Sequence, residues 1–140
     1  MMNYFKILAA FVFLITTGHS AFSQCDSTAY LATRMLGETY VSDGQVYRAL
    51  IYDDQEAEFY TTFYGGAKYR IVSMVGLEKE QLIFTLVDEE QNVLFTNEDQ
   101  NNSAFWDFEF ESTIEGKVQA KLDLTKQNSG CAVILIGFER

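Results

Sequence analysis

Between residues 106 and 124 apolar and polar positions alternate in two runs separated by a short polar break. Trp106, Phe108 and Phe110 interleave with Asp107, Glu109 and Glu111. Val118, Ala120, Leu122 and Leu124 then interleave with Lys117, Gln119, Lys121 and Asp123. A period of two is that of a strand with one buried face. Folding the runs about residues 112–116 sets Glu111 opposite Lys117 and Asp107 opposite Lys121, with Phe110 on Val118 and Trp106 on Leu122. Opposite charges outside and apolar pairs inside are what cross-strand pairing favours, and a one-residue slip would turn the aromatic side to water. The pattern predicts a hairpin.

Residues 82–87 and 93–95, joined by a polar turn at 88–92, predict a second hairpin. Residues 131–136 lack polar alternation, as a central strand covered on both faces would. Further strands are predicted over 46–52, 58–64 and 69–75. Helical spacing occurs over residues 26–40: Ala29, Ala32, Leu36 and Tyr40 share a face, Met35 lies beside them and Asp26 is placed to cap. Gly37 weakens that helix by about 1 kcal/mol relative to alanine. Seven to eight strands and one N-terminal helix predict an all-β, antiparallel, jelly-roll-like β-sandwich with the helix covering one end.

The first 23 residues have another texture. Lys6 precedes nine apolar residues, 7–15, and a small-residue approach ends in Ala21, Phe22 and Ser23. This is the layout of a cleaved export signal. Nine apolar residues fall well short of the roughly 20 that span a bilayer. A mature chain over residues 24–140 is therefore expected, one domain without a transmembrane segment, large enough for a real core. Losing Lys6 takes the formal charge from −10 to −11. Such acidity disfavours nucleic acid and anionic lipid, which need clustered Lys and Arg.

Export to the periplasm or beyond the cell implies an oxidising compartment, where Cys25 and Cys131 read as one disulfide. The competing reading makes Cys25 the lipidated first residue of a bacterial lipoprotein. Against it, Gln24 stands where a small residue is expected, and lipidation would leave Cys131 a free thiol.

The signal also carries the sole histidine of the chain. Its loss excludes Ser-His-Asp and Cys-His catalysis and zinc sites built on imidazole, and no phosphate-binding glycine loop occurs. Three kinds of site remain. Asp107, Glu109 and Glu111 share one strand face about 7 Å apart, from a rise near 3.4 Å per residue. They suit either a carboxylate-based hydrolase such as a glycosidase or a solvated outer face. Asn97, Glu98 and Asp99 gather oxygen donors in one loop, which suits calcium, although the spacing is not that of an EF-hand and a polar turn explains the same residues. Tyr60 and Tyr64 fall on one strand face with Thr62. They form either an exposed aromatic platform for glycan or peptide, or part of a strand buried on both faces with its hydroxyls reaching water.

The succession Tyr69-Arg70-Ile71-Val72, Leu82 to Asp88, Asn92 to Asp99 and Trp106 to Phe110 resembles the bacterial pre-peptidase C-terminal domain over about residues 67–138. The shared rhythm is a strand ending in Asp, a tight turn, a strand entering an Asn/Asp-rich loop, then an aromatic strand. That resemblance implies a non-catalytic β-sandwich serving targeting or substrate binding, with possible calcium at Asn97, Glu98 and Asp99. Together these readings predict an exported binding or structural module, with no catalytic residues and no cofactor other than calcium. Its ligand is glycan, peptide or a protein partner, and the carboxylate-based hydrolase is the alternative.

Overall fold

The computed structural model describes residues 20–140 apart from residue 80. The expected signal, residues 1–23, lies outside them except for its last four positions. The chain runs α1 (Ser20–Leu36), β1 (Tyr40–Ser42), β2 (Tyr47–Tyr52), β3 (Glu56–Phe63), β4 (Lys68–Val75), β5 (Leu82–Asp88), β6 (Val93–Thr96), a 3-10 turn (Asn97–Gln100), β7 (Phe105–Glu109), β8 (Ile114–Leu122) and β9 (Ser129–Glu139). The strands form two antiparallel sheets. In the first, β9 pairs with β1 and β2 along one edge and with β4 along the other, and β7 flanks β4. The second has the order β3-β8-β5-β6. The all-β sandwich is as expected, with nine strands among the described residues rather than seven or eight.

Side chains at every second position of the facing strands meet between the sheets, where Ile51, Phe63, Ile71, Phe84, Leu86, Val118, Ile134 and Ile136 are almost wholly buried. The two long sides of the sandwich are closed by aromatic pairs. Tyr47 meets Phe59 with centroids 5.4 Å apart, and Phe95 stacks on Trp106 at 5.0 Å. A smaller core lies on the other face of the first sheet, where Ala29, Ala32 and Leu36 of α1 cover Val72, Met74, Val133 and Leu135. The 131–136 run is therefore buried on both faces, as its unbroken hydrophobicity implied.

Two expectations are corrected. Residues 105–109 and 114–122 do not form a hairpin. β7 pairs with β4 in the first sheet, while β8 lies in the second between β3 and β5. Residues 110–113 cross from one sheet to the other instead of reversing the chain within one. Trp106, Phe108 and Phe110 nevertheless pack against the core, so the alternation named the right face but not the right neighbour. The helix is displaced as well: it starts at Ser20 instead of Asp26, and it packs across the outer face of the first sheet rather than over one end. Asp26 is not a cap but pairs with Arg48. Gly37, in the left-handed region at φ 78°, stops the helix, and Tyr40 opens β1.

Helix docking depends on Gly137. A Cβ there would lie 2.6 Å from Leu36 Cδ1, well inside van der Waals contact, and Leu36 is itself buried. Gly137→Ala is expected to destabilise the fold by about 1–3 kcal/mol, the usual cost of overpacking. Urea denaturation measures it. The companion change Leu36→Ala should restore part of the loss when combined with it.

Candidate functional site

β3 is the edge strand of the second sheet, and its alternation decides what it presents. Phe59, Thr61 and Phe63 turn inward, and Phe63 is fully buried. The opposite parity sends Tyr60, Thr62 and, just past the strand, Tyr64 outward. Tyr60 and Tyr64 are 69% and 64% exposed, so the reading of a strand buried on both faces does not hold. Among the described residues no second layer covers this face, and its polar side chains bond to one another. Tyr60 OH donates to Glu58 at 3.1 Å, and the Thr62 hydroxyl donates to Glu115 at 2.8 Å. Lys117 Nζ donates to Glu58 at 2.8 Å and to Gln91 at 2.9 Å. The Lys117 ammonium holds the Glu58 carboxyl below its ordinary value, and Glu58 raises Lys117 in return. Lys117, only 8% exposed, is thus committed within the chain.

Two clefts open along this edge. One lies between the β5–β6 turn and the start of β8, as adjoining hollows of about 410 and 320 Å³ lined by Tyr60, Asp88, Glu89, Glu90 and Glu115, with Lys117 as the one basic lining residue. It is acidic. The Asn92 amide and backbone hydrogen bonds hold the Asp88 carboxyl low, so the cleft keeps negative charge at neutral pH. The other, of about 430 Å³, lies where β3 parts from the first sheet. Tyr64, Tyr69, Ile136 and Phe138 give it apolar walls, and Asp43 is its one charged lining residue.

The remaining candidate residues are dispersed. Asn97 is fully buried and its carboxamide is occupied: Oδ1 accepts from Phe84 N–H at 2.8 Å, and Nδ2 donates to the carbonyls of Leu82 and Ser103 at 2.9 and 3.0 Å. Glu98 and Asp99 sit on the 3-10 turn at the surface. Among the described residues no three Asp, Glu, His or Cys side chains are grouped to hold a metal. Asn97 thus serves the fold, because a buried amide can satisfy three backbone groups at once.

Asp107 does not face Lys121. Arg70 clamps it through Nε and Nη2, at 2.7 and 2.8 Å, and this holds the carboxyl below its ordinary value. The Arg70 guanidinium also lies 4.5 Å from the centroids of both the Tyr40 and Phe105 rings. Cys25 and Cys131 form the expected disulfide, with Cα atoms 5.4 Å apart, which leaves no thiol on Cys25 for lipid. Sequence reasoning missed Asp43, Glu115 and Phe138, residues far apart in the chain that only the sheet pairings bring beside β3. A lone Asp before Gly44 reads as a turn, and nothing local marks it as a cleft wall.

A scan against protein-family models finds no match, and no curated protein matches the chain. Among solved structures the fold is similar to the crystal structure of Aeromonas hydrophila PliG, a periplasmic lysozyme inhibitor of g-type lysozyme. The TM-score is 0.53 at 6% identity, over 68% of this chain and 85% of that one. The likeness is one of fold alone. No helix among the described residues is long and apolar enough to cross a membrane.

Proposed function

We propose that this chain is an exported, non-catalytic module that binds a cationic protein partner through the β3 edge of its second sheet. The observation that carries this reading is the exposure of Tyr60 and Tyr64 on that edge, each at the lip of a cleft. Tyrosines placed this way offer large, stiff contact area with a polar tip, at little entropic cost. Carboxylates beside both tyrosines, on a chain of net charge −10, favour and steer a positively charged partner.

The fold likeness to an inhibitor of g-type lysozyme supports a protein ligand, although fold by itself does not specify function. The resemblance to the pre-peptidase C-terminal domain implies the same non-catalytic role. Pairing of both cysteines supports an oxidising compartment, the periplasm or outside the cell. The hydrolase alternative loses one of its three carboxylates as a proton donor, because Asp107 is bound to Arg70 and held ionised.

The test is photo-crosslinking in the exporting cell. Benzoylphenylalanine in place of Tyr60 or Tyr64 is expected to give a discrete adduct with another protein. The same group in place of Tyr30, equally exposed but on α1, is expected to give none. Absence of adducts at positions 60 and 64, or identical adducts from all three positions, would remove the reading.

A further inference from the structure

We infer that the apolar cleft beside β3 receives an arginine side chain from the partner, its stem between Tyr64 and Phe138 and its guanidinium on Asp43. This inference rests on the binding reading above and specifies what one part of that surface takes.

The cleft exists because β9 outruns the sheet that covers it. Ala132, Ile134 and Ile136 point into the core, and Phe138 is next in the same alternation. It pairs in register with Tyr69 and Val41 yet remains 42% exposed. Its apolar face is open to water along the edge where β3 parts from the first sheet. Tyr69 and Ile136 form a buried floor, and Tyr69 OH accepts the Tyr64 backbone N–H at 2.8 Å, which fixes the far wall.

Asp43 is held in place at the rim. Its N–H donates to the Ile136 carbonyl at 3.0 Å, and its Oδ1 accepts from Gln45 N–H at 2.9 Å. Among the described residues no Lys or Arg of the chain pairs with it. The side chain is exposed by area, yet enough protein surrounds the carboxyl that desolvation raises it above its ordinary value against the pull of Gln45. A neutral apolar guest would desolvate that carboxylate further without compensation, and an anionic one would be repelled. A guest with an apolar stem and a cationic head satisfies walls and rim together. Between aromatic rings and a carboxylate, a planar guanidinium fits better than an ammonium. The chain itself builds this combination on the outer face of its first sheet, where Arg70 lies against Tyr40 and Phe105 and is clamped on Asp107.

The experiment is a titration of the ¹⁵N-labelled exported chain with Nα-acetyl-arginine methylamide, followed by amide chemical shifts. Its neutral near-isostere, Nα-acetyl-citrulline methylamide, is the control. Saturable shifts are expected at Asp43, Thr61, Tyr64, Ala67 and Phe138. Loss of one charge pair should weaken binding about tenfold, both for the citrulline probe and for the Asp43→Asn variant. Asn retains the oxygen that accepts from Gln45, so an unchanged spectrum away from the cleft certifies the fold of the variant. Tyr64→Ala should weaken binding as well. Equal binding of arginine and citrulline, shifts centred on residues 88–90, or no saturation would overturn the inference. Crosslinks surviving at positions 60 and 64 would then leave the binding module standing without this anchor, whereas loss of both results would remove the two together.

Discussion

Asn97→Asp is expected to lower stability at pH 7 by about 3–5 kcal/mol, the range for leaving a buried charge without compensation. The side chain is fully buried, and its amide bridges the start of β5 and the end of the following loop by donating to the carbonyls of Leu82 and Ser103. A carboxylate still accepts from Phe84 N–H but turns a second oxygen toward those two carbonyls, and three acceptors then share no hydrogen. Protonation supplies one. The folded-state value of the introduced acid therefore lies above its unfolded value near 3.9. A group raised in this way is best tolerated at low pH and costs stability as pH climbs through its folded value. The deficit relative to the parent protein, measured by urea unfolding at both pH values, should be smaller at pH 4 than at pH 7. A variant matching the parent at pH 7 would show that the amide is not the clasp described. Asn97→Ala should also be costly, but with a deficit insensitive to pH.

Removal of the disulfide by the paired change Cys25→Ala and Cys131→Ala is expected to cost about 2–5 kcal/mol. For a domain of this size that corresponds to a fall in Tm of roughly 10–20 °C. The bridge spans a sequence separation of 106 and ties α1 to the central strand β9. Apart from it, the helix is held mainly by the small core around Ala29, Ala32 and Leu36. Its amides should therefore exchange with solvent faster in the variant, while those of β8 keep most of their protection. Calorimetry of the parent with and without reductant provides the matching measurement. A shift below about 2 °C would show that the tie adds little to the packing of the helix.

The two corrected elements show where local pattern loses its hold. The alternation of residues 106–110 and 117–122 named the inward faces of both strands, whereas Leu124, assigned to the same face, falls past the end of β8 and is exposed. The hairpin drawn from it satisfied charges locally, with Glu111 on Lys117 and Asp107 on Lys121. In the fold Asp107 meets Arg70, 37 positions away, and Lys117 meets Glu58, 59 positions away. Each cross-strand pair is worth only about 0.2–1 kcal/mol, so two charge matches cannot outweigh a pairing that places β8 between β3 and β5 and buries Val118, Ala120 and Leu122 against the opposite sheet. The structural role of Asn97 was hidden for a related reason. An asparagine in a polar loop looks the same in sequence whether it faces calcium, water or backbone groups of a neighbouring strand and of its own loop.

The site was legible in part. The Tyr60, Thr62 and Tyr64 alternation marked the face that emerges at the edge of the second sheet. The acidic turn at residues 88–90 was also visible, but its position beside Glu115 was not, because that depends on β5 and β8 being neighbours. Asp43 and Phe138 carried no signal.

What the amino-acid order settled alone is the class of the molecule. A period of two in short runs makes sandwich strands, an unbroken apolar run makes a doubly covered one, and the two cysteines of the chain make a bridge. These are properties of single segments, in which burial of one face dominates the energy. Which strands lie side by side, which helix face docks and which distant carboxylates share a cleft were decided only by the tertiary structure. Those choices rest on many weak pair interactions between segments far apart in the chain, and no single segment records their sum.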